Sequence, residues 1–380
     1  MRLAFAYHRV APECLGGAER YYAQLCRTLA QEQPVTYLTE RHWGGERRIV
    51  RDGVELLGLD DPGGHGRFLP KLRFSLALAW HLLRRGRDYD VVHVCCFPHA
   101  AVLAAWLALL ARPRTRLVVD WFEVLPLATW RERLGAVGIL GWLVQAAALR
   151  AGDAAVTFSR MHARRLREAG CRPPVHLVAA FHPSLGHVGR AGRVAVREPL
   201  VVFAGRLVTE KRAQLVPAVV AALRRRDPAW RGVVFGTGPD EVRVRAEVDR
   251  LGLVDAVRLA GFAPWEEVAD AFERARALVL PTAREGFGLV VLEASAQGLP
   301  SVLVRARDNA AVELVEEGRN GRVVERAEPD AMAAAVLALA ADPAIHESTR
   351  AWYAEASRRF DVTVTVAELR RMHATLTGAR

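Results

Sequence analysis

Lysine is almost missing from this chain. Of 380 residues only Lys71 and Lys211 are lysine, so arginine carries nearly all of the positive charge behind a net charge of +11. That bias, with abundant alanine, valine and leucine, has the look of a GC-rich genome. Arginine runs such as Arg84-Arg85-Gly86-Arg87 and Arg224-Arg225-Arg226 close helical stretches and lack the interleaved aromatics that stack on bases, so no nucleic-acid partner is expected. Peripheral contact with an anionic membrane stays open. Long apolar runs are missing too. The longest, 100–111 and 134–149, fall short of the roughly 18–20 residues that span a bilayer, and the second is interrupted by Gly138, Gly141 and Gln145. Five scattered cysteines form no Cys-x-x-Cys pair, which excludes a zinc site of that type and fits a reduced, cytoplasmic protein. Residues 1–7 read as a strand without a cleavage-site pattern, so no signal peptide is expected.

What is present is an alternation of short apolar runs with longer amphipathic stretches. Residues 2–7, 35–39, 91–96, 117–120 and 154–158 read as parallel strands, with helices such as 20–31 and 72–85 between them. The rhythm breaks over 181–199, which reads as a linker. A second set of strands follows at 200–204, 232–236, 257–261, 277–280, 301–304 and 322–324, and then a mostly helical tail with Asp361 as N-cap of the last helix. The expectation is an α/β chain of two doubly wound Rossmann-like domains, 1–185 and 186–360, with a final helix over 361–380.

The densest chemistry lies in Glu285-Gly286-Phe287-Gly288-Leu289-Val290-Val291-Leu292-Glu293. An apolar strand closed by Pro281 runs into a loop whose glycines let a ligand approach the backbone, and the loop opens onto a helix N-terminus, where anions bind readily. Two carboxylates flank this turn. One can meet a sugar hydroxyl and the other a ribose.

This motif resembles the donor site of the retaining GT-B glycosyltransferases of family 4. Further segments agree in order: Gly16-Gly17-Ala18-Glu19-Arg20, Gly205-Arg206-Leu207 with Lys211, Gly236-Thr237-Gly238-Pro239, Gly298-Leu299-Pro300, and Asn309-Ala310-Ala311 with Asn320-Gly321. The likeness covers nearly the whole chain and is densest over 200–324. It implies two domains facing across a cleft, the last helix packing back on the first, and transfer of a sugar from a nucleoside diphosphate sugar to an acceptor hydroxyl.

The resemblance assigns Arg206 and Lys211 to the diphosphate, Glu285 to the donor sugar and Glu293 to the ribose. Gly16, Gly17, Gly205, Gly236, Gly238, Gly286, Phe287, Gly288 and Leu289 complete the donor-binding set. Where relatives read Asp-Trp-His-Glu near the reacting carbon, this chain has Asp120-Trp121-Phe122-Glu123. Asp120, Glu123 or His99 is then the candidate replacement. No cofactor and no metal are expected beyond the nucleotide-sugar co-substrate. Asp88-Tyr89-Asp90 is formally a metal-binding Asp-x-Asp, but it precedes its strand. Gly236-Thr237-Gly238 lacks the third glycine of a dinucleotide fingerprint. Trp121, Trp130 and Trp142 with the stretch 134–149 are either core packing or the wall of a cleft for a lipid-linked or small-molecule acceptor. A nucleotide-sugar epimerase and a non-catalytic sugar-nucleotide binder are the alternatives.

Overall fold

Apolar runs bounded by turn residues become strands in both halves of the chain. The computed structural model describes residues 1–14, 16–62, 68–181 and 197–378. The chain divides into two units, Met1–Pro183 with Phe360–Arg380, and Ser184–Arg359.

The first unit holds β1 Leu3–Ala6, β2 Val35–Glu40, β3 Arg48–Arg51, β4 Val54–Asp60, β5 Val91–Cys95, β6 Arg116–Trp121, β7 Ala154–Thr157 and β8 Val175–Leu177. They form one sheet in the order β3-β4-β2-β1-β5-β6-β7-β8. Every neighbouring pair is parallel except β3 with β4. Helices α1 Gly17–Leu29, α2 Phe68–Arg85, α3 His99–Leu109, α4 Leu127–Leu134, α5 Gly138–Ala148 and α6 Arg160–Glu168 connect the strands. Central strands such as β1 and β5 are buried along their whole length, as a sheet covered on both faces requires. The β3–β4 hairpin went unseen in the sequence reading. Its turn is Asp52-Gly53, both at positive φ, and β3 alternates exposed with half-buried residues as an edge strand does. β8, only three residues long, was missed as well.

The second unit holds β9 Leu200–Ala204, β10 Arg231–Phe235, β11 Val257–Gly261, β12 Ala277–Leu280, β14 Ser301–Val304 and β16 Gly321–Val324. Their order is β11-β10-β9-β12-β14-β16, all parallel. Strand order reverses between β9 and β12, which puts a crevice beyond the carboxyl ends of those two strands. A separate two-residue pair, β13 Arg284–Glu285 with β15 Asp308–Asn309, lies beyond that edge. Helices α7 Leu215–Arg224, α8 Glu241–Arg250, α9 Trp265–Arg274, α10 Leu289–Ala296, α11 Pro329–Ala340 and α12 Ile345–Ser357 complete the unit.

Helix α13, Val362–Thr377, belongs to the first unit and packs on α1. Asp361 caps it, its carboxylate accepting from the Thr363 amide at 2.7 Å. Thr365 Oγ1 donates to the Ala179 carbonyl at 2.6 Å, and the Ala179 amide donates to Glu368 at 3.0 Å. Deeper in, His373 Nε2 lies 2.7 Å from His93 Nε2. Most of the expected linker, 182–196, lies outside the described residues. Its two ends are packed rather than loose. Phe181 is fully buried and stacks on Tyr21, and Arg197 donates to the carbonyls of Phe272 and Gln297.

Burial of histidines makes the fold acid-sensitive. Desolvation pushes His8 down to about 3, His99 and His346 down to about 4, and His373 well below the usual imidazole range. A group whose folded pKa is depressed binds more protons when unfolded, so its contribution is complete above the unfolded value near 6.5 and fades below it. Glu40, pushed up to about 7 by burial, works in the opposite direction between about 4.5 and 7. Four histidines outweigh one carboxylate. The melting temperature is therefore expected to fall steadily from pH 7 to pH 4.5 in a calorimetric series. A flat profile would mean that these rings are hydrated.

Candidate active site

Three loops converge where the strand order of the second unit reverses. The first follows β9 and contains Gly205, exposed Arg206, and a single 3-10 turn over Thr209–Lys211. The second follows β12 and runs from Pro281 to Gly288. The third follows β14 and contains β15. Two ion pairs zip the first loop to the second: Lys211 with Glu285, and Glu210 with Arg284. The Ala283 amide also donates to the Glu210 carbonyl at 2.8 Å. Lys211 and Glu285 are 17% and 21% exposed. They are thus desolvated enough to hold each other and open enough to meet a ligand. Glu210 and Arg284 had no role in the sequence reading. Their signal was the charge alternation around the two chosen residues.

Asn309 fastens the third loop. Its Nδ2 donates to the carbonyls of Thr282, at 3.2 Å, and Val304, at 2.9 Å, while its Oδ1 accepts from the Ala311 amide at 3.1 Å. This side chain is buried and joins the ends of β12 and β14. Gly288, at φ +97°, is the N-cap of α10. A Cβ there would lie 2.5 Å from the Ala311 Cβ. Glycine thus lets the α10 N-terminus settle on the Asn309 loop. Gly286, Phe287 and Leu289 are half-buried around this turn. Glu293, one turn into α10, is buried and helps to raise the Tyr353 phenol above its ordinary pKa, after the larger effect of burial. It is not the solvated helix carboxylate that its spacing alone allows.

Gly236 and Gly238 have a packing reason of their own. A Cβ on Gly236 would lie 1.9 Å from the Gly205 carbonyl oxygen, and one on Gly238 would lie 2.2 Å from that of Leu207. The loops after β9 and β10 run side by side there, with Gly205 N donating to Phe235 O and Leu207 N to Thr237 O. These glycines hold the Arg206 loop in place, whatever they do for a ligand.

Family models cover both units. Residues 190–359 match that of the glycosyl transferases group 1, and residues 16–181 match the glycosyl transferase 4-like domain. The chain belongs to the GT-B glycosyltransferases. Among curated relatives, a D-inositol 3-phosphate glycosyltransferase of Streptomyces avermitilis is 31% identical over 232 residues, covering 55% of this chain and 49% of the relative. A putative colanic acid biosynthesis glycosyltransferase, WcaL of Salmonella typhimurium, is 30% identical over 193 residues, 49% of this chain and 47% of that one. The chain spans about half the length of these two relatives. In fold it is similar to the sucrose-phosphate synthase of Thermosynechococcus elongatus, with TM-score 0.79, 19% identity and full coverage of both chains. HepE of Anabaena in complex with UDP-glucose gives TM-score 0.74 at 18% identity, covering 98% of this chain and 100% of that one.

In the glycosyl transferase 4-like domain, Gly16 precedes α1, and a Cβ there would lie 2.3 Å from Glu19 Oε2. Glycine leaves room for that buried carboxylate, which pairs with Arg9 at 3.0 Å. Gly17 has open space around it. Glu19 stands inside the glycine motif of the sequence, and only the fold shows it buried and paired.

The structure places the three candidates for the reacting face in different surroundings. Asp120 is enclosed: Tyr22 Oη donates to it at 2.8 Å and His93 Nδ1 lies 2.9 Å away. It anchors a buried chain that runs through His93 to His373. His99 begins α3, buried against Trp121 and Trp130, and desolvation holds it neutral. Both are core residues by geometry. Glu123 alone remains half-buried at the end of β6. Phe122, where the family resemblance implies a histidine, joins an aromatic cluster with Tyr21, Tyr22 and Phe158. Trp121 and Trp130 are buried in the core and Trp142 is half-buried. Asp90 Oδ2 accepts from the Arg2 amide at 2.7 Å, just before the start of β5 rather than at a strand's carboxyl end.

Proposed function

We propose that this chain is a retaining glycosyltransferase that moves a sugar from a nucleoside diphosphate sugar to an acceptor hydroxyl without a metal ion. The observation that carries this reading is the Lys211–Glu285 pair at the reversal point of the second sheet, with Arg206 on the same loop as Lys211. Cleaving the bond between the sugar and the diphosphate builds negative charge on the departing oxygen and positive charge on the sugar. A lysine and an arginine stabilise the first, and a carboxylate the second. The acceptor oxygen bonds to the sugar carbon on the side that the diphosphate leaves, and its proton passes to the departing phosphate oxygen. Glu293, buried on α10, suits the two hydroxyls of a ribose. Acceptor recognition falls to the first unit, where Glu123 is the remaining polar candidate. Since HepE was solved with UDP-glucose, a uridine diphosphate sugar is the first donor to test, in a thermal-shift screen where binding to the native state raises the melting point.

Two kinetic results test the roles. Glu285→Gln keeps the size and loses the charge, so it is expected to lower kcat more than it changes donor KM; Glu293→Gln is expected to raise donor KM mainly. A Glu285→Gln variant altered only in donor KM would make Glu285 an anchor. Transfer is also expected to survive EDTA. Loss of activity on chelation, restored by manganese, would overturn the metal-free reading.

A further inference from the structure

The helical layer on one face of the first unit's sheet ends in an apolar surface that no described residue covers. The connections β4 to β5, β5 to β6 and β6 to β7 all step the same way along the sheet, and β1 to β2 steps the other way. Right-handed crossovers therefore set α2, α3 and α5 in one layer and α1 on the opposite face. Within the layer α2 packs on α3, and α3 on α5.

Helix α2 is apolar on two sides. Phe74, Leu78 and Leu82 are fully buried in the core. Leu72, Leu76, Trp80 and Leu83 fall within roughly 80° of one another on the opposite side and are all exposed, Leu76 to 61% and Trp80 to 57%. In the same layer Leu107 and Leu110 are exposed at the end of α3, Val137 just before α5, and Leu140 and Leu143 on α5. A helix with one buried face normally turns polar residues to water. An exposed apolar surface this broad marks an interaction site.

The charges around it name the partner. Helices α2 to α5 and the turn after α3 carry eight cationic side chains and one acidic one, Glu132, against 53 to 42 in the chain as a whole; Arg73 and Arg85 pair with Asp60 and Asp88 outside these segments, which leaves an excess of five positive charges. Arg84 lies over the Trp80 ring at 3.8 Å, on the rim of the apolar stripe. Pairing with a second copy would set these basic rims against each other. Apart from Trp80, whose ring Arg84 already covers, the exposed stripe is aliphatic and gives bases little to stack on. A surface that is greasy beneath and anionic above meets both features at once.

We propose that the outer faces of α2, α3 and α5 dock this chain on an anionic lipid bilayer. The leucines and Trp80 enter the acyl boundary, and the arginines reach the headgroup phosphates. The inference does not depend on the glycosyl-transfer reading, and its test uses no turnover.

The full chain is expected to sediment with phosphatidylglycerol–phosphatidylcholine vesicles at least about tenfold more tightly than with phosphatidylcholine alone, and added salt should weaken the binding. Leu76→Ser/Trp80→Ser/Leu140→Ser/Leu143→Ser is expected to abolish binding to either vesicle, with its melting temperature retained because all four side chains are exposed. Arg84→Gln/Arg114→Gln/Arg131→Gln keeps the apolar stripe and is expected to lose only the preference for anionic lipid, which tests the idea even if the serine variant folds poorly. No vesicle binding at low salt, or equal binding to both lipids, would overturn the proposal. So would a serine variant that still binds vesicles while its self-association changes in sedimentation velocity.

Discussion

Turnover of an Arg206→Ala/Lys211→Ala variant is expected to fall by about hundredfold or more at saturating donor, each substitution alone costing at least about tenfold. A preorganised group that stabilises developing charge is commonly worth 10²–10³ in kcat by itself. The two cations differ in what they offer. Arg206 is exposed and can fork onto two phosphate oxygens, whereas Lys211 acts as a point charge held in place by Glu285. Lys211→Ala also frees Glu285 from its partner, so Lys211→Ala and Glu285→Gln should be non-additive in a double-mutant cycle, as contacting residues are. Folding should change little. Arg206 is at the surface, and the Glu285 carboxylate left behind is open enough to be hydrated. Near-normal kcat in a double variant that melts normally would remove the diphosphate assignment.

The largest stability effect is expected at Asp120. Its carboxylate accepts from Tyr22 and meets His93 inside the first unit, and His93 in turn meets His373 of α13. Asp120→Ala leaves a phenol and an imidazole buried without their acceptor. Breaking a buried charged network of this kind costs about 3–5 kcal/mol. For a unit of this size that is a fall of roughly 10 °C in melting temperature. Asp120→Asn keeps one acceptor and should lose about half as much. Loss of α13 from α1 should accompany the change, visible as faster amide exchange over 362–377. A variant that melts normally but has lost transfer would return Asp120 to the reacting face.

These two expectations separate what was legible from what was not. Lys211 could be singled out because it is one of two lysines in the chain and follows a strand end within a few residues. Local order places such residues, since a parallel α/β sheet puts functional loops at the carboxyl ends of its strands. The partners of Asp120 are illegible in the sequence for the complementary reason. It too stands at a strand end, but its surroundings come from α1, β5 and α13, the last of these about 250 residues away in sequence. Nothing local announces that His373 will arrive there. The β3–β4 hairpin escaped because an edge strand with one solvated face has a weak apolar pattern, even with its Asp52-Gly53 turn.

By itself the sequence determined the α/β class, the parallel strands, the cap of the last helix and the Glu285–Glu293 turn, because periodicity, turn chemistry and glycine placement act over a few residues. Only the tertiary structure decided that Lys211 faces Glu285 and Glu210 faces Arg284, that Asn309 clamps two strand ends, and that Gly236 and Gly238 lie against backbone oxygens. Those are contacts between loops brought together by strand order, and strand order is set by packing the whole sheet.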